Sequence, residues 1–458
     1  MKYLYRTVEG LTINSLKKKD LLTLGFMMFS IYFGAGNLIF PPALGQAAGD
    51  HTLHAMLGFM TTGIGLPLLG ITAIALAGGE YVPLLHAKTW PRFATVLLVI
   101  LYLIIGPLFA MPRTGAVSFE IGIRPFLSAD NLALGQIIYT AVFFASSYYL
   151  ALNPNKIIDR VGRMLTPALL IVLLILFVQA FHAPLGAILP ATGAYINAPF
   201  AQGFQDGYQT MDLLASIAIG ALVANAVRMR GITDSRAVGA ACLVSGLITV
   251  MLMAAVYGSL AYIGATSTSV LGQAENGGQI LSAAVGIFFG SAGNLLLAVI
   301  IGLACLTTCC GITSSAAMFF NKLLKGRVSY ERLLLFSILF SFAASNVGLT
   351  QIIALAIPFL VTIYPLIIVF VILSLFDRFI GWRKSIYQGA MALTLVFSLI
   401  DGLHAAGLSS EPVHALLVAY IPFYNIMMGW VCPAVIGALV GLAVSFFQTA
   451  PAAKESQV

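Results

Sequence analysis

The residues able to do chemistry in this chain are few, and two short stretches gather them. Gly34-Ala35-Gly36-Asn37 interrupts the first long apolar run, and GFQDGYQTMD, Gly203 to Asp212, puts glycines, two carboxylates and an amide pair (Gln205, Gln209) into the sixth. Unwinding a helix inside a membrane frees N–H and C=O groups that hydrocarbon cannot satisfy, so it is tolerated only where they face protein, water or a ligand. The half-helix resuming near Leu38 presents bare N–H groups and a positive dipole end, which suit an anion such as a carboxylate. The half-helix before it ends in bare carbonyls, which suit a cation. A zwitterion with an alkali ion beside it fits both ends, and a packing kink is the plain alternative for either break alone. Gly34 and Gly36 are expected to let the backbone unwind over 34–37. Pro41 and Pro42 are then expected in the first turn of the resumed half-helix, where a missing N–H costs least.

Asp212 is the clearest ionisable residue well inside a span, where a charge is expensive unless paired or hydrated. Three roles are open to it: receiving a substrate ammonium, standing beside a cation, or capping the second half of the sixth span. Asn37 and Thr210 are candidates for a second cation site or for a carboxylate. Arg113 and Glu120, seven residues apart and so roughly on one face of the third span, are expected toward the outer side, as an external gate or an interfacial charge pair.

The elements that position these residues follow from composition. Of 458 residues 60% are hydrophobic and 9% charged, with a mean hydropathy of +0.99, whereas soluble domains carry about 25% charged residues. This is an all-α polytopic membrane protein, and its function must lie within the bilayer. The net charge of +7 reads as membrane topology, since a nucleic-acid reader gathers its basic residues on one face of a soluble domain. No cleavable signal peptide is expected, because the first residues are mixed and basic and the run after them is long enough to span. The five cysteines, Cys242, Cys305, Cys309, Cys310 and Cys432, fall in apolar runs with no CxxC pair and read as packing residues.

Apolar runs bounded by charged or Pro/Gly/Asn clusters predict twelve helices near 21–47, 54–77, 93–119, 132–151, 164–182, 200–228, 237–263, 281–321, 331–346, 350–375, 386–406 and 414–447. The eighth is too long for one span, and Gly290-Ser291-Ala292-Gly293 divides a short outer helix from the span proper. With a cytoplasmic N-terminus, only Arg113 and Arg124 of the 23 Lys and Arg fall on the far side, so both tails, 1–20 and 448–458, are cytoplasmic. Helices one and six lie five apart and therefore run in opposite directions. Two broken helices at corresponding places of inverted halves mark the substrate site of a secondary transporter. The repeats are then 21–182 (helices one to five) and 200–375 (six to ten), with 386–447 appended.

The residues around the first break also resemble a known family. Phe33-Gly34-Ala35-Gly36-Asn37-Leu38-Ile39-Phe40-Pro41-Pro42 is similar to the start of the bacterial branched-chain amino acid carriers (BrnQ, the LIV-II system). Further matching blocks are Gly106-Pro107-Leu108-Phe109-Ala110-x-Pro112-Arg113-Thr114, Val117-Ser118-Phe119-Glu120, Gly207-Tyr208-x-Thr210-Met211-Asp212 and Ser345-Asn346-x-Gly348-Leu349. The likeness runs from about Lys19 to Phe447. It implies a LeuT-type fold and a cation-coupled symporter of leucine, isoleucine and valine in the bacterial inner membrane, with sodium co-transported, no obligatory protein partner and no nucleic acid.

In the eighth helix Ala304, Thr307 and Thr308 stand at i, i+3 and i+4, on one face. Two hydroxyls and a backbone carbonyl suit a small hard cation, and the resemblance adds the carbonyls of Ser30 and Phe33 to complete a sodium shell. Hydroxyls that bond back to their own helix are the alternative. For the substrate, the expected contacts are Gly34, Ala35, Gly36, Asn37, Gln209, Thr210 and Asp212, with Phe109, Tyr208, Met211 and Ile312 as the apolar wall. Such a wall discriminates weakly between side chains differing by a methylene, so the three aliphatic amino acids are expected to share one carrier. Proton coupling is the nearest rival, and it rests on Asp212 and Asp206, since all six histidines fall at loops or helix ends. An enzyme is not expected, because no HExxH, GxSxG or paired catalytic carboxylates appear in the spans.

Overall fold

The computed structural model describes residues 18–447 apart from 80, 153, 233, 382, 410 and 427. Residues 1–17 of the expected N-terminal tail and all of the expected C-terminal tail lie outside the described residues. Every regular element among the described residues is helical. α1 (Lys18–Tyr32) is followed by Phe33, whose N–H still reaches Phe29 O at 2.8 Å. Gly34 is then extended (φ −122°, ψ −168°) and gives its N–H to Asn37 Oδ1 at 3.3 Å rather than to a helix carbonyl. α2 (Ala35–Ala48) resumes at once. The break is therefore two residues, 33 and 34, shorter than the expected 34–37, because Asn37 caps the new helix and lets it start early. Pro41 and Pro42 lie inside α2, a full turn deeper than expected, and they deny the Asn37 and Leu38 carbonyls their intrahelical donors.

α3 (Thr52–Met60) and α4 (Leu66–Leu76) form one rod bulged at Thr61–Gly65, and the short α5 (Tyr81–Lys88) follows. α6 (Pro91–Leu103) and α7 (Ala110–Gly122) were expected as a single helix over 93–119. They are parted by a wide turn, Ile104–Leu108, where Gly106 leaves the helical region (φ −98°, ψ −125°). Pro107 is the cause, since it has no N–H and its ring drives the preceding residue out of helical backbone. α8 (Leu132–Ala151) and α9 (Pro154–His182) lead to the second break. There α10 (Pro199–Asp206) ends in a tight turn, Gly207–Thr210, and α11 (Asp212–Arg228) restarts after Met211. Met211 has φ +61°, a left-handed conformation that is strained for any side chain but glycine.

α12 (Ser235–Leu271) precedes α13 (Gly277–Leu323), which turns at Gly290 (φ +65°) into a short first arm and a long second one, as the Gly290-Ser291-Ala292-Gly293 run predicts. α14 (Tyr330–Ser345), α15 (Leu349–Leu375), α16 (Asp377–Ile380) and α17 (Lys384–Ala405) follow. The stretch expected as one helix over 414–447 is instead α18 (Glu411–Tyr420) and α19 (Val431–Phe447). Pro422 and the left-handed Phe423 (φ +65°) end the first of these.

Glycines bring the broken helices into backbone contact with their neighbours. A Cβ on Gly45 would meet Ala261 O, one on Gly264 would meet Pro42 O, and one on Gly277 would meet Ile39 O. α2 therefore lies directly against α12 and the first arm of α13. Gly58 and Gly203 do the same for α3 and α10, meeting Phe200 O and Ala55 O. Small residues are what let helices approach closely in lipid, where water supplies no hydrophobic drive. Two apolar cores result, one around α1, α2 and α12, the other around α6, α11 and α15, and Ile312 of α13 packs against both.

The outward surface is apolar as well: Val142, Leu174, Phe336 and Leu439 are all exposed. Seven helical stretches among the described residues are long and apolar enough to cross a membrane. Polar clusters stand away from the breaks. Lys88 Nζ reaches both carboxylate oxygens of Asp377 at 2.7 and 2.9 Å, and Tyr387 donates to the same carboxylate at 2.9 Å. Glu120 Oε1 accepts from Arg124, Asn276 and Gln279 at 2.5, 3.1 and 2.9 Å.

If the glycine contacts set the position of α2, Gly264→Val will force α2 off α12 and destabilise the protein by about 1–3 kcal/mol, the usual cost of overpacking. Thermal unfolding in detergent measures it, and an unchanged midpoint contradicts it.

Candidate functional site

The two breaks meet. Asn37, in the first turn of α2, donates through Nδ2 to Asp212 Oδ2 at 2.7 Å and to the Tyr257 hydroxyl at 2.5 Å. Tyr257, midway along α12, donates to the same carboxylate oxygen at 3.4 Å. Asn37 uses its other end as well, since its Oδ1 accepts the Gly34 N–H. One amide thus caps α2 and ties it to the first residue of α11. Asn37 is 1% exposed and Asp212 4%, so this carboxylate relies on protein donors.

Asp212 does not cap its own helix. Its carboxylate turns across to α2, and its N–H takes Thr210 Oγ1 at 3.4 Å, while that hydroxyl donates to Gly207 O at 2.9 Å. The capping role open to Asp212 on sequence grounds is therefore filled by Thr210. Tyr257 was not singled out from the sequence. Its only signal is a polar-tipped ring inside a long aliphatic run, and nothing in the chain order says that α12 passes behind both breaks.

Arg113 and Glu120 do not pair with each other. Glu120 belongs to the cluster with Arg124. Arg113 is 5% exposed. Its Nη1 and Nη2 donate to the carbonyls of Gln209 and Thr210 at 2.5 and 3.4 Å, which are carbonyls the turn before α11 cannot satisfy itself. The guanidinium carbon stands 5.2 Å from the centre of the Phe40 ring. The third span is turned so that Arg113 faces inward while Glu120, two turns on, reaches the first arm of α13.

The expected cation ligands divide. A Cβ on Gly34 would lie 3.7 Å from Thr308 Oγ1, so that hydroxyl borders the first break, which follows the last turn of α1, Ser30 included, and begins at Phe33. Thr307 instead donates to Ala304 O at 2.9 Å and to Leu303 O at 3.2 Å. The hydroxyl hydrogen goes to its own helix, which is the alternative reading for such a residue, while the lone pairs of Thr307 Oγ1 and the second lone pair of Ala304 O stay open to a cation.

The expected apolar wall assembles in one core. Phe109 packs on Phe359 with centroids 5.2 Å apart, and Tyr208 stacks on Tyr364 at 4.3 Å. Met211 joins the same cluster, with Ile312 packed against it. Tyr364, which closes over Tyr208, is a second aromatic that the sequence did not mark. The expected substrate contacts Gly34, Ala35, Gly36 and Asn37 line the start of α2 opposite Gln209, Thr210 and Asp212. The start of α2 and the turn before α11 bring together a carboxylate, a guanidinium and backbone N–H groups, and Tyr208 and Met211 of that turn belong to the apolar core that holds the rest of the wall.

Residues 17–448 match the family described as "Branched-chain amino acid transport protein". Among curated relatives, the chain is 46% identical to the branched-chain amino acid permease BraB of Bacillus subtilis (strain 168), over 95% of this chain and 97% of that one. It is 44% identical to the branched-chain amino acid transport system 2 carrier protein of Pseudomonas aeruginosa, over 93% and 96%. Among solved structures it is similar to Mhp1, a nucleobase-cation-symport-1 family transporter, in a closed conformation with bromovinylhydantoin bound. The TM-score is 0.56 at 14% identity, covering 93% of this chain and 92% of that one. At that identity the likeness is one of fold.

The Asn37–Asp212–Tyr257 contact predicts coupled losses. Tyr257→Phe removes one donor at a cost of about 1 kcal/mol, and Asn37→Leu, which strips the carboxylate of its amide, costs about 1–3 kcal/mol. The double variant will lose less than the sum when thermal unfolding is compared across the cycle. Additive losses would show that the three side chains do not act as one network.

Proposed function

The chain belongs to the branched-chain amino acid transport protein family, and on that premise we propose that it is a secondary active carrier that takes leucine, isoleucine and valine into the cell together with sodium. The observation that carries this reading is the meeting of the two helix breaks through Asn37 and Asp212. A helix start, a helix end and one buried carboxylate converge there, as a zwitterion and a cation require. The substrate ammonium goes to Asp212, exchanging for the donors that now hold it. The aliphatic side chain lies on Phe109, Tyr208, Met211 and Ile312. Sodium sits between the end of α1 and Thr308, held by that hydroxyl and the carbonyls of Ser30 and Phe33, with no formal charge in the shell.

The full topology is twelve spans, with α1 to α9 forming one five-helix repeat, α10 to α15 its inverted counterpart and α17 to α19 appended. Both termini are cytoplasmic, in the bacterial inner membrane. Alternating access then opens the two ends of the bundle in turn. The Lys88–Asp377–Tyr387 cluster stands at the cytoplasmic end, and the Glu120–Arg124–Asn276–Gln279 cluster at the external end. Proton coupling, the rival reading, would use Asp206 or Asp212. Asp206 already accepts hydrogen bonds from Tyr195 and Gln202, and Asp212 from Asn37 and Tyr257.

Protein reconstituted in vesicles will accumulate radiolabelled leucine when a sodium gradient is imposed. Equal accumulation in potassium medium under a proton gradient would assign the coupling to protons. Thr308→Ala will raise the sodium needed for half-maximal uptake by about tenfold, a loss of about 1.4 kcal/mol for one oxygen ligand, and leave leucine affinity at saturating sodium unchanged. An unaltered sodium dependence would remove Thr308 from the shell.

A further inference from the structure

Arg113 is a costly residue to place here. A guanidinium brought out of water needs its donors met. It carries five N–H donors, of which one reaches Gln209 O and one Thr210 O. Nε is buried and makes no hydrogen bond. The side chain lies against the first turn of α2, because a Cβ on Gly36 would stand 2.8 Å from Nη2 and 3.2 Å from Cζ. Only glycine leaves that room. The first turn of a 14-residue helix carries unpaired N–H groups and the positive end of its dipole. Two positive elements therefore face one another, and the anion beside them is the Asp212 carboxylate held by Asn37; once that carboxylate turns to a substrate ammonium, the pair is left for the substrate's own carboxylate.

We propose that Arg113 is a substrate-binding residue that takes the α-carboxylate of the amino acid, together with the N–H groups of the first turn of α2. This rests on the amino-acid transport reading above and adds to it the polarity of the bound zwitterion: carboxylate to Arg113, ammonium to Asp212. Both groups are built into the pair of breaks. The two carbonyl contacts hold the guanidinium in place and leave its remaining donors for the ligand. No second sodium ion is then needed to neutralise the carboxylate.

The approach to this site is also marked. A cavity of about 130 Å³ is lined by Ile39, Phe40, Asn276, Thr350 and Ile353, among others. Phe40 lines this cavity, and its ring centre stands 5.2 Å from the guanidinium carbon of Arg113.

The test compares leucine with leucinamide, which keeps the ammonium and side chain but lacks the carboxylate. Binding to purified full-length protein is measured in saturating sodium at pH 6.5, below the α-amino pKa, so that the ammonium is charged. Arg113→Gln will weaken leucine by about 30-fold or more, the worth of a charged hydrogen-bond pair, and leucinamide by less than about 3-fold, so the preference between them collapses. Arg113→Lys will restore part of it. Gly36→Ala keeps the arginine but displaces it, and will weaken leucine selectively even if Arg113→Gln does not fold. Equal losses for leucine and leucinamide in Arg113→Gln and Gly36→Ala, or no loss for either, would make Arg113 a structural clamp and overturn the proposal. Failure of the parent to bind leucine at all would instead overturn the transport reading on which it rests.

Discussion

A carboxylate buried in a membrane protein must find donors, and the donors Asp212 finds hold this fold together at its centre. Asn37 reaches it from the start of α2 and Tyr257 from α12, so three helices are fixed by one oxygen atom. Hydrogen bonds of this kind average well under the cost of leaving the charge unmet, and their value lies in that asymmetry. Both donors, an amide and a phenol, are neutral and exchangeable. In the proposed carrier, a ligand ammonium takes the carboxylate while the amide and the phenol turn to other partners.

Everything near that contact is arranged to bring backbone close to backbone. Gly45, Gly264 and Gly277 let α2 touch α12 and α13, and Gly203 lets α10 touch α3. Unwound backbone in lipid needs such cover, since its polar groups have no water to turn to. Arg113 extends the arrangement by meeting the carbonyls of Gln209 and Thr210. Met211 shows the strain involved, holding a left-handed conformation next to the charged residue it positions.

The breaks themselves were legible because Gly, Asn and Asp stand out in apolar runs. Their partners were not. Tyr257 and Tyr364 have no signal apart from a hydroxyl on an otherwise ordinary core ring, and which rings meet a break depends on helix packing across more than a hundred residues. Arg113 and Glu120 share one stripe of the third span in the sequence, but their separate partners, the Gln209 and Thr210 carbonyls for one and Arg124, Asn276 and Gln279 for the other, come from distant segments that spacing does not reveal. The split between α18 and α19 was missed for a related reason. Pro422 and Gly429 were present, but the apolar run on either side was long enough to read as one span. Thr307 and Thr308 are adjacent hydroxyls that spacing alone cannot separate, whereas in the fold Thr308 borders Gly34 at the start of α2 and Thr307 donates back to its own helix.

The central claim is that Asp212 is both the tie between the broken helices and the receptor for the substrate ammonium. Equilibrium binding of labelled leucine to Asp212→Asn, in saturating sodium, tests it most directly. The account predicts a loss of affinity of about 30-fold or more, as expected when a charged hydrogen-bond acceptor becomes neutral, in a protein that still unfolds cooperatively. Leucine bound by that folded variant with the affinity of the parent would contradict it.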